Sequence, residues 1–406
     1  MSAKYKKFLA RLFAGILRIV ATFYRLAFKN IDKALREDSP LRIVLLVSKP
    51  QDIELLIGLH EIASRRKDLS LCFWVVNNCA RRYPMVISQL KEEEAIVEQV
   101  ISFSGLGKVL RELMRTHAFL STVESTTARH KLPYVITKLA NAAGVSTYTL
   151  QHGFENVGLS YCDEVHGPDI KFAAKTVLTW GPVEKLPAWV GKDTRDKAIA
   201  VGCPKKLVTL ENDPSVTKGS RPIIGVFDNL HWHRYDEKYL ANFLRDLETI
   251  AVNRKEFRFV LKSHPESVRN RSREQLARLG RMQNVDVADL LGEEKELLTT
   301  PWLLSHALGV ITTPSTIALD GALAKVPIAV TRYGLDLTYY SPLCLLDKLE
   351  SWESFLDCLT EPSGIHKLTL NGEQFLNQVL VSGDSSAKIL NIMVGQQSNR
   401  DSTSQT

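Results

Sequence analysis

Short apolar runs alternate with helix-patterned segments over most of the 406 residues. Such runs, bounded by turn residues, are typical of buried strands, and strands that alternate with helices form a parallel, doubly wound sheet. The predicted strands of the first half are 41–47, 70–76, 96–103, 118–123, 146–150, 176–179 and 198–201, and those of the second half are 223–227, 257–262, 285–287, 309–311 and 326–330. The alternation predicts an α/β fold with two Rossmann-like doubly wound domains.

The chain is too long for one ordinary core, so we expect two domains. The periodicity breaks most clearly at 211–222, where the sequence reads ENDPSVTKGSRP. This break predicts a linker between an N-terminal domain at 39–210 and a C-terminal domain at 223–390. Residues 391–406 are expected to form a disordered tail.

The first 36 residues hold nine of the 52 Lys and Arg residues and one of the 45 acidic residues, which leaves 43 basic and 44 acidic residues elsewhere. The remainder is therefore almost neutral, which argues against a nucleic-acid-binding surface. On a helix, eight of the nine cations fall within an arc of about 80°, opposite an apolar face. We expect residues 1–38 to form a basic amphipathic helix that lies on an anionic membrane surface.

Two alternatives remain for this segment: a basic helix docked on its own domain, and an import presequence. A membrane span is not expected, because the longest charge-free runs are six residues and a span needs roughly 20. The six cysteines show no CxxC spacing, which is typical of a reduced, cytosolic chain without structural zinc.

The stretch 309–330 reads GVITTPSTIALDGALAKVPIAV. It predicts a strand, a hydroxyl-rich turn and a helix that begins at Pro314 and runs to Lys325, with Ser315 and Thr316 as capping residues. A helix N-terminus with such a turn favours a bound phosphate. Asp320 is placed to reach a sugar hydroxyl of a nucleotide. The alternative is an ordinary strand–helix–strand crossover with a well-capped helix.

Ligands of open α/β sheets bind beyond the carboxyl ends of the strands, so residues that directly follow strands are the candidates for a site. In the second domain these residues are polar after three strands. The predicted nucleotide-binding residues are Asn229, His231, Lys262, His264, Pro265, Thr313, Ser315, Thr316 and Asp320.

In the first domain, His152 directly follows a strand, and Gly153 would let the backbone turn sharply beside it. A histidine or carboxylate here is a candidate general base. The predicted catalytic residues are His152, Glu155 and Glu124. A hydrogen-bonded structural imidazole remains the alternative for His152, and a helix-capping acid remains the alternative for Glu124. The sequence contains no GxxxxGK[ST], GxGxxG, HExxH or GxSxG, which disfavours P-loop kinases, simple dehydrogenases and the usual lipases.

Four short motifs, in order along 145–330, resemble the signatures of bacterial two-domain GT-B transferases of capsule, lipopolysaccharide and teichoic-acid assembly. The motifs are QHG at 151–153, GCPK at 202–205, KSHP at 262–265 and TPSTIALD at 313–320. The resemblance includes CMP-Kdo transferases and CDP-glycerol glycerophosphotransferases. It implies that the second domain binds the nucleotide donor, with the His264 turn and the Ser315 turn on its phosphates and Asp320 near the ribose. By the same resemblance His152 would lie near the acceptor.

The paired acidic motif of the sialyl and polysialyl relatives has no clear counterpart here, so the resemblance does not identify the base. No DxD motif is convincing, and neither a metal nor a cofactor is expected. The resemblance implies a glycosyltransferase that moves a sugar or polyol phosphate from a CMP- or CDP-linked donor to a lipid-linked polysaccharide, on the cytoplasmic face of the inner membrane. The alternatives are a nucleotide-sugar 2-epimerase and a catalytically inactive membrane assembly subunit of the same fold.

Overall fold

The structure is a computed structural model that describes residues 40–100, 106–127, 130–154, 170–187, 190–206, 221–230, 235–264, 273–290 and 298–403. The predicted amphipathic helix at 1–38 and most of the predicted linker at 211–222 lie outside the described residues. The chain divides into two compact units. The first contains the described residues up to His152, those from 170 to 206 and those from Leu380 onward; the second contains Gly153, Phe154 and the described residues from 221 to Val379.

The first unit is built on one sheet of seven parallel strands in the order β3-β2-β1-β4-β5-β6-β7. Its strands are β1 (Leu41–Val47), β2 (Leu69–Val76), β3 (Ile96–Val100), β4 (Ala118–Ser121), β5 (Ser146–Leu150), β6 (Thr176–Thr179) and β7 (Ala198–Ala200). Its helices before residue 200 are α1 (Gln51–Ala63), α2 (Asn77–Arg82), α3 (Met85–Glu92), α4 (Leu106–Met114), α5 (Lys131–Ala142) and α6 (Lys192–Asp196).

The second unit has six parallel strands in the order β10-β9-β8-β11-β12-β13. The strands are β8 (Ile223–Asp228), β9 (Arg258–Ser263), β10 (Val285–Val287), β11 (Ala307–Thr312), β12 (Ile328–Thr331) and β13 (Cys344–Leu346). The helices are α7 (Glu237–Asn253), α8 (Arg273–Leu279), α9 (Thr300–His306), α10 (Ile317–Leu323), α11 (Leu349–Thr360) and α12 (Pro362–Val379). The predicted α/β fold with two doubly wound, Rossmann-like domains is confirmed.

Helix α7 illustrates how the sequence pattern builds the second unit. Asp236 caps it by accepting a hydrogen bond from Tyr239 N at 2.7 Å. Phe243, Leu247 and Ile250 recur at helical spacing and are fully buried against the sheet. An apolar stripe of this kind fixes which face of a helix packs on the strands.

The final helix, α13 (Ser385–Thr403), belongs to the first unit although it follows the whole of the second unit in sequence. Val381 N donates to Trp180 O at 2.9 Å as the chain enters this helix. Ile389, Leu390 and Met393 are at most 2 % exposed. The second unit therefore ends at Val379 and not at the predicted residue 390. The chain is also helical to Thr403, whereas we expected a disordered tail from residue 391. Burial of these apolar side chains explains why the helix forms.

Apart from the helix that begins at Pro314, the sequence pattern predicts helices near 52–64, 107–114, 128–143, 235–254 and 301–307. The helices without a predicted counterpart are α2, α3, α6 and α13 of the first unit and α8, α11 and α12 of the second. Within the described parts of the chain, no helix is both long enough and apolar enough to cross a membrane.

Candidate functional site

The strand order of the second sheet reverses between β8 and β11. Strands β9 and β10 lie on one side of β8, and β11, β12 and β13 lie on the other. Ligands of open α/β sheets bind at such a switch point, beyond the carboxyl ends of the strands. Asp228, Ser263 and Thr312 end β8, β9 and β11 there and are at most 6 % exposed. Asp228 Oδ2 accepts from Ser263 Oγ at 2.6 Å, and Asp228 O accepts from His264 N at 2.8 Å. These bonds tie the first two strand ends together.

A second set of hydrogen bonds ties the end of β8 to the end of β11. Asn229 N donates to Thr313 Oγ1 at 3.0 Å, and Thr313 Oγ1 donates to Asn229 Oδ1 at 2.7 Å. Asn229 Nδ2 donates to Pro314 O at 2.9 Å. The side chains of Asn229 and Thr313, which we predicted as ligand contacts, are therefore used to build the turn. Their bonds rigidify the place where a ligand would bind.

The turn after β11 continues into α10, which begins at Ile317 rather than at the predicted Pro314. Thr316 occupies the N-cap position without a capping side-chain bond. Ser315 Oγ accepts from Ile317 N at 3.2 Å and lies 3.0 Å from Thr312 Oγ1. The ring of Pro314 thus precedes the helix, and the predicted helix end at Lys325 is two residues late. Ser315 and Thr316 are both partly exposed and remain the hydroxyls of this turn that reach the surface of the unit.

Lys262 and His264 flank the end of β9 and point to different surroundings. Lys262 Nζ donates to Leu298 O at 2.8 Å, so its ammonium group is held by a backbone carbonyl. The side chain of His264 is exposed, while its backbone is fixed by the bond to Asp228 O. His264 therefore fits the predicted phosphate contact better than Lys262 does.

Asp320 is 2 % exposed and lies in the buried middle of α10. A Cβ atom on the next residue, Gly321, would meet Ile328 Cδ1 at 2.0 Å. Glycine is thus required for this close approach of helix and strand. This burial of Asp320 does not favour the predicted contact between its carboxyl group and a ribose.

Gly153 and Phe154 belong to the second unit and contact the same turn. Phe154 N donates to Thr316 Oγ1 at 2.9 Å, and a Cβ on Gly153 would lie 3.0 Å from that oxygen. The Phe154 ring packs against Tyr340 and Phe375 with centroids 5.3 Å from each. We expected Gly153 to allow a sharp turn, but its φ is not among the positive ones. What the glycine provides is close approach to Thr316.

In the first unit, Glu124 follows β4 and is 1 % exposed. Its Oε2 accepts from Ala173 N at 3.0 Å and its Oε1 accepts from Ala174 N at 2.9 Å. Desolvation raises the pKa of Glu124 to about 7, against the effect of these two bonds. Both carboxyl oxygens are therefore engaged in holding the backbone that leads into β6. This geometry favours a structural role over the predicted catalytic one.

His152 follows β5 and is partly exposed. Desolvation, together with the nearby charges of Lys49 and His130, lowers the pKa of His152 to about 3, although a hydrogen bond with the backbone of Thr122 opposes the shift. The rings of His152 and His130 meet edge to face with centroids 6.2 Å apart. His130 Nδ1 lies 2.9 Å from Ser125 Oγ. An imidazole with so low a pKa is neutral at physiological pH and suits hydrogen bonding better than proton abstraction.

Asp52, which was not among the predicted site residues, organises the same edge of the first sheet. This carboxyl is 2 % exposed. Its Oδ2 accepts from Ser48 N at 2.7 Å and Lys49 N at 2.9 Å, and its Oδ1 accepts from Thr122 Oγ1 at 2.6 Å. The bonds join the ends of β1 and β4, the switch point of this sheet. The available signal was an acid in the first turn of the helix that follows β1, shortly after Ser48.

Three predicted site residues, Glu155, His231 and Pro265, lie outside the described residues. Among the residues that the structure describes, no group of three or more His, Cys, Asp and Glu side chains is arranged to hold a metal ion.

No family model matches this sequence, and no curated protein matches it. Solved structures do match. UDP-GlcNAc 2-epimerase from Neisseria meningitidis, bound to UDP-GlcNAc, has a TM-score of 0.61 at 14 % identity, covering 87 % of this chain and 100 % of that one. A glycosyltransferase from Rickettsia africae has a TM-score of 0.54 at 12 % identity, covering 87 % and 98 %. The wall teichoic acid polymerase TagF, in a structure with CDPG, has a TM-score of 0.52 at 10 % identity, covering 94 % and 97 %.

At these identities the likeness concerns the fold alone. The neighbours are GT-B proteins of two activities, glycosyltransferases and 2-epimerases, and the Neisseria meningitidis and TagF structures contain UDP-GlcNAc and CDPG. The two parallel sheets with switch points at β1/β4 and β8/β11 match this architecture. The chain has the two-domain GT-B fold.

Proposed function

We propose that this protein is a glycosyltransferase that takes a sugar or polyol phosphate from a nucleotide donor. The observation that carries the proposal is the polar turn at the β8/β11 switch point of a GT-B chain. There Asn229 and Thr313 bond to each other, Asn229 also bonds to Pro314 O, and the partly exposed Ser315 and Thr316 follow directly. Hydroxyl and N–H donors there would neutralise charge on the departing nucleotide phosphate. The exposed His264 would supply a further donor.

The finer assignment is a CMP- or CDP-linked donor and a lipid-linked surface polysaccharide as acceptor. It is supported by the short motifs that resemble capsule and teichoic-acid transferases, and by the basic amphipathic pattern of residues 1–36, which would hold the protein on an anionic cytoplasmic membrane face. No metal ion is part of the proposal.

The transfer requires a base for the acceptor hydroxyl. Neither first-unit candidate that the structure describes is well suited, because Glu124 has both oxygens on backbone N–H groups and His152 has a pKa of about 3. We therefore assign His152 to acceptor orientation and leave Glu155, which is outside the described residues, as the candidate base.

The test of donor binding is calorimetry with CMP, CDP and UDP on wild type and on His264→Ala. Loss of a hydrogen bond to a charged phosphate should weaken nucleotide binding by roughly 1.5–3 kcal/mol. His366→Ala, which changes an exposed histidine on α12, is the control and should bind as wild type does. Unchanged affinity in a folded His264→Ala protein would remove His264 from the site.

A 2-epimerase is the second candidate, favoured by the TM-score of 0.61 to the Neisseria meningitidis enzyme. Mass spectrometry and NMR of turnover with CMP-, CDP- and UDP-linked donors separate the two. Epimerisation of UDP-GlcNAc without any acceptor would establish the epimerase, and donor consumption that depends on a lipid-linked glycan would establish the transferase. Nucleotide binding without turnover of any donor would favour the inactive assembly subunit.

A further inference from the structure

Tyr235 lies just before α7 and reaches both of the strand-end turns at the β8/β11 switch point. Its ring is 9 % exposed. Its hydroxyl lies 2.8 Å from Asn229 Oδ1 and 3.2 Å from Pro314 O. We infer that Tyr235 is a positioning residue for the donor phosphates: it holds the turn that would bind them and does not contact them. The inference rests on the proposed function and adds a residue to its site.

The hydroxyl group completes a closed set of hydrogen bonds. Asn229 Oδ1 accepts from Tyr235 OH and from Thr313 Oγ1, while Asn229 Nδ2 donates to Pro314 O. The single O–H of Tyr235 is shared between Asn229 Oδ1, the nearer acceptor, and Pro314 O. Loss of the hydroxyl leaves Oδ1 with Thr313 Oγ1 as donor and leaves Pro314 O with the amide of Asn229. The side chain of Asn229 then has more freedom to rotate, and the residues that follow Pro314 move with it. A phosphate site needs its donors held to within about half an ångström.

Tyr235 is the first of three neighbouring tyrosines, in which the first pair of rings is tilted and the second meets edge to face. Its ring centroid lies 4.7 Å from that of Tyr239, which lies 5.2 Å from that of Tyr333. Tyr239 OH bonds to Thr331. Tyr333 OH donates to Asp246 at 2.9 Å and accepts from Trp352 Nε1 at 2.9 Å. Tyr333→Phe therefore removes a hydroxyl from the same group of tyrosines whose partners, Asp246 and Trp352, lie outside the turn, which makes it a matched control.

The experiment compares full-length wild type, Tyr235→Phe and Tyr333→Phe in two measurements. Calorimetry uses CMP, CDP and UDP, each against its nucleoside, cytidine or uridine. Hydrogen–deuterium exchange with mass spectrometry follows peptides that cover 223–230 and 309–317, with a β9 peptide as internal reference.

For Tyr235→Phe we expect nucleotide affinity to fall about 3- to 10-fold, the range of one neutral hydrogen bond, while nucleoside affinity changes less than about twofold because the phosphates carry the effect. The two turn peptides should exchange several-fold faster relative to β9. For Tyr333→Phe we expect no selective change in either measurement. If Tyr235 only stabilised the fold, Tyr235→Phe would lower the free energy of unfolding without weakening nucleotide binding more than nucleoside binding.

Each other result is decisive. Unchanged exchange of the turn peptides, or an equal loss for nucleotide and nucleoside, overturns the positioning role of Tyr235 and leaves the proposed function intact. Faster exchange with unchanged nucleotide affinity shows that the turn does not hold the phosphates, and this also overturns the inference. Failure of wild type to bind any nucleotide of the panel overturns the proposed function, and the inference with it.

Discussion

Glu124 gives this protein a pH dependence of stability that the structure fixes in sign. The carboxyl is 1 % exposed. Desolvation raises the pKa of Glu124 from 4.5 to about 7, against the hydrogen bonds from Ala174 N and Ala173 N. In the unfolded chain the group is hydrated and has its ordinary pKa. The folded protein therefore keeps the proton over a pH range in which the unfolded chain has lost it.

The size of the effect follows from the two pKa values. Below pH 4.5 Glu124 is protonated in both states and adds no pH dependence. Between pH 4.5 and 7 the folded state binds more protons, so the free energy of unfolding falls as pH rises. Each pKa unit corresponds to about 1.4 kcal/mol, so the full window is worth ~3 kcal/mol. Above pH 7 Glu124 is ionised in both states, so its contribution to the free energy of unfolding no longer changes with pH and is at its most destabilising.

Glu124→Gln removes the titrating proton with little change of volume and keeps one carbonyl oxygen for a backbone N–H. We expect the unfolding free energy of wild type, minus that of Glu124→Gln, to fall by roughly 2–3 kcal/mol between pH 5 and pH 8. The assay is urea denaturation followed by tryptophan fluorescence, in which Trp180 lies in the same unit. Glu184→Gln, at an exposed position of that unit, is the control. A wild-type-minus-variant difference that does not depend on pH would refute the reasoning.

Two further predictions concern other parts of the chain. Gly321→Ala should lower the free energy of unfolding by roughly 1–3 kcal/mol, because the added methyl group overpacks against Ile328. Gly395→Ala, whose added Cβ has no atom within 4 Å, is the control and should be neutral or slightly stabilising in the same urea titration. Equal effects of the two substitutions would show that α10 is free to shift. Deletion of residues 1–36 should release the protein from anionic vesicles in a sedimentation assay, and added salt should weaken binding by wild type; equal sedimentation of the deleted protein would exclude a membrane role for this segment.

The strands were the most predictable part of the structure, because strands buried on both faces read as uninterrupted apolar runs. The predicted bounds of β1, β5, β6 and β10 agree with the structure to the residue. The short helices α2 and α3 escaped prediction because Pro84 divides their segment into pieces too short to show a helical period. Helix α13 escaped because its apolar residues are buried by a unit that is distant in sequence.

The meeting of polar residues at the ends of β8, β9 and β11 could be predicted, but the partners of each polar group could not. The carboxyl ends of parallel strands meet at one edge, so Asn229 and Thr313 were expected to be close. Their mutual hydrogen bonds span 84 positions of sequence, and no local pattern shows that their polar groups are used on each other. The same holds for Glu124, whose partners Ala173 and Ala174 lie about 50 residues away. The burial of Asp320 on α10 likewise depends on how the helix packs on the sheet, which its local sequence does not show.

His152 provides the test that separates acceptor orientation from base catalysis. A pKa lowered to about 3 by desolvation, Lys49 and His130 keeps the imidazole neutral throughout the range in which turnover would be measured. If His152 orients the acceptor, His152→Ala should lower turnover by the same factor at every pH from 6 to 8.5, about 10²-fold or more, and should leave donor affinity unchanged. His152→Asn, which keeps a hydrogen-bonding group near the same place, should recover part of the activity.

A base would behave differently, because its titration shapes the pH profile of turnover. If wild type shows a limb near pH 6.5 that disappears in His152→Ala, the histidine is the base and its pKa in the complex is far above that of the free protein. If both His152 variants keep wild-type activity per folded molecule and only unfold at lower temperature, the ring is structural. Glu124→Gln completes the comparison. Both oxygens of Glu124 bind backbone N–H groups in wild type, so we expect any loss of turnover in Glu124→Gln to be accompanied by a matching loss of folded protein.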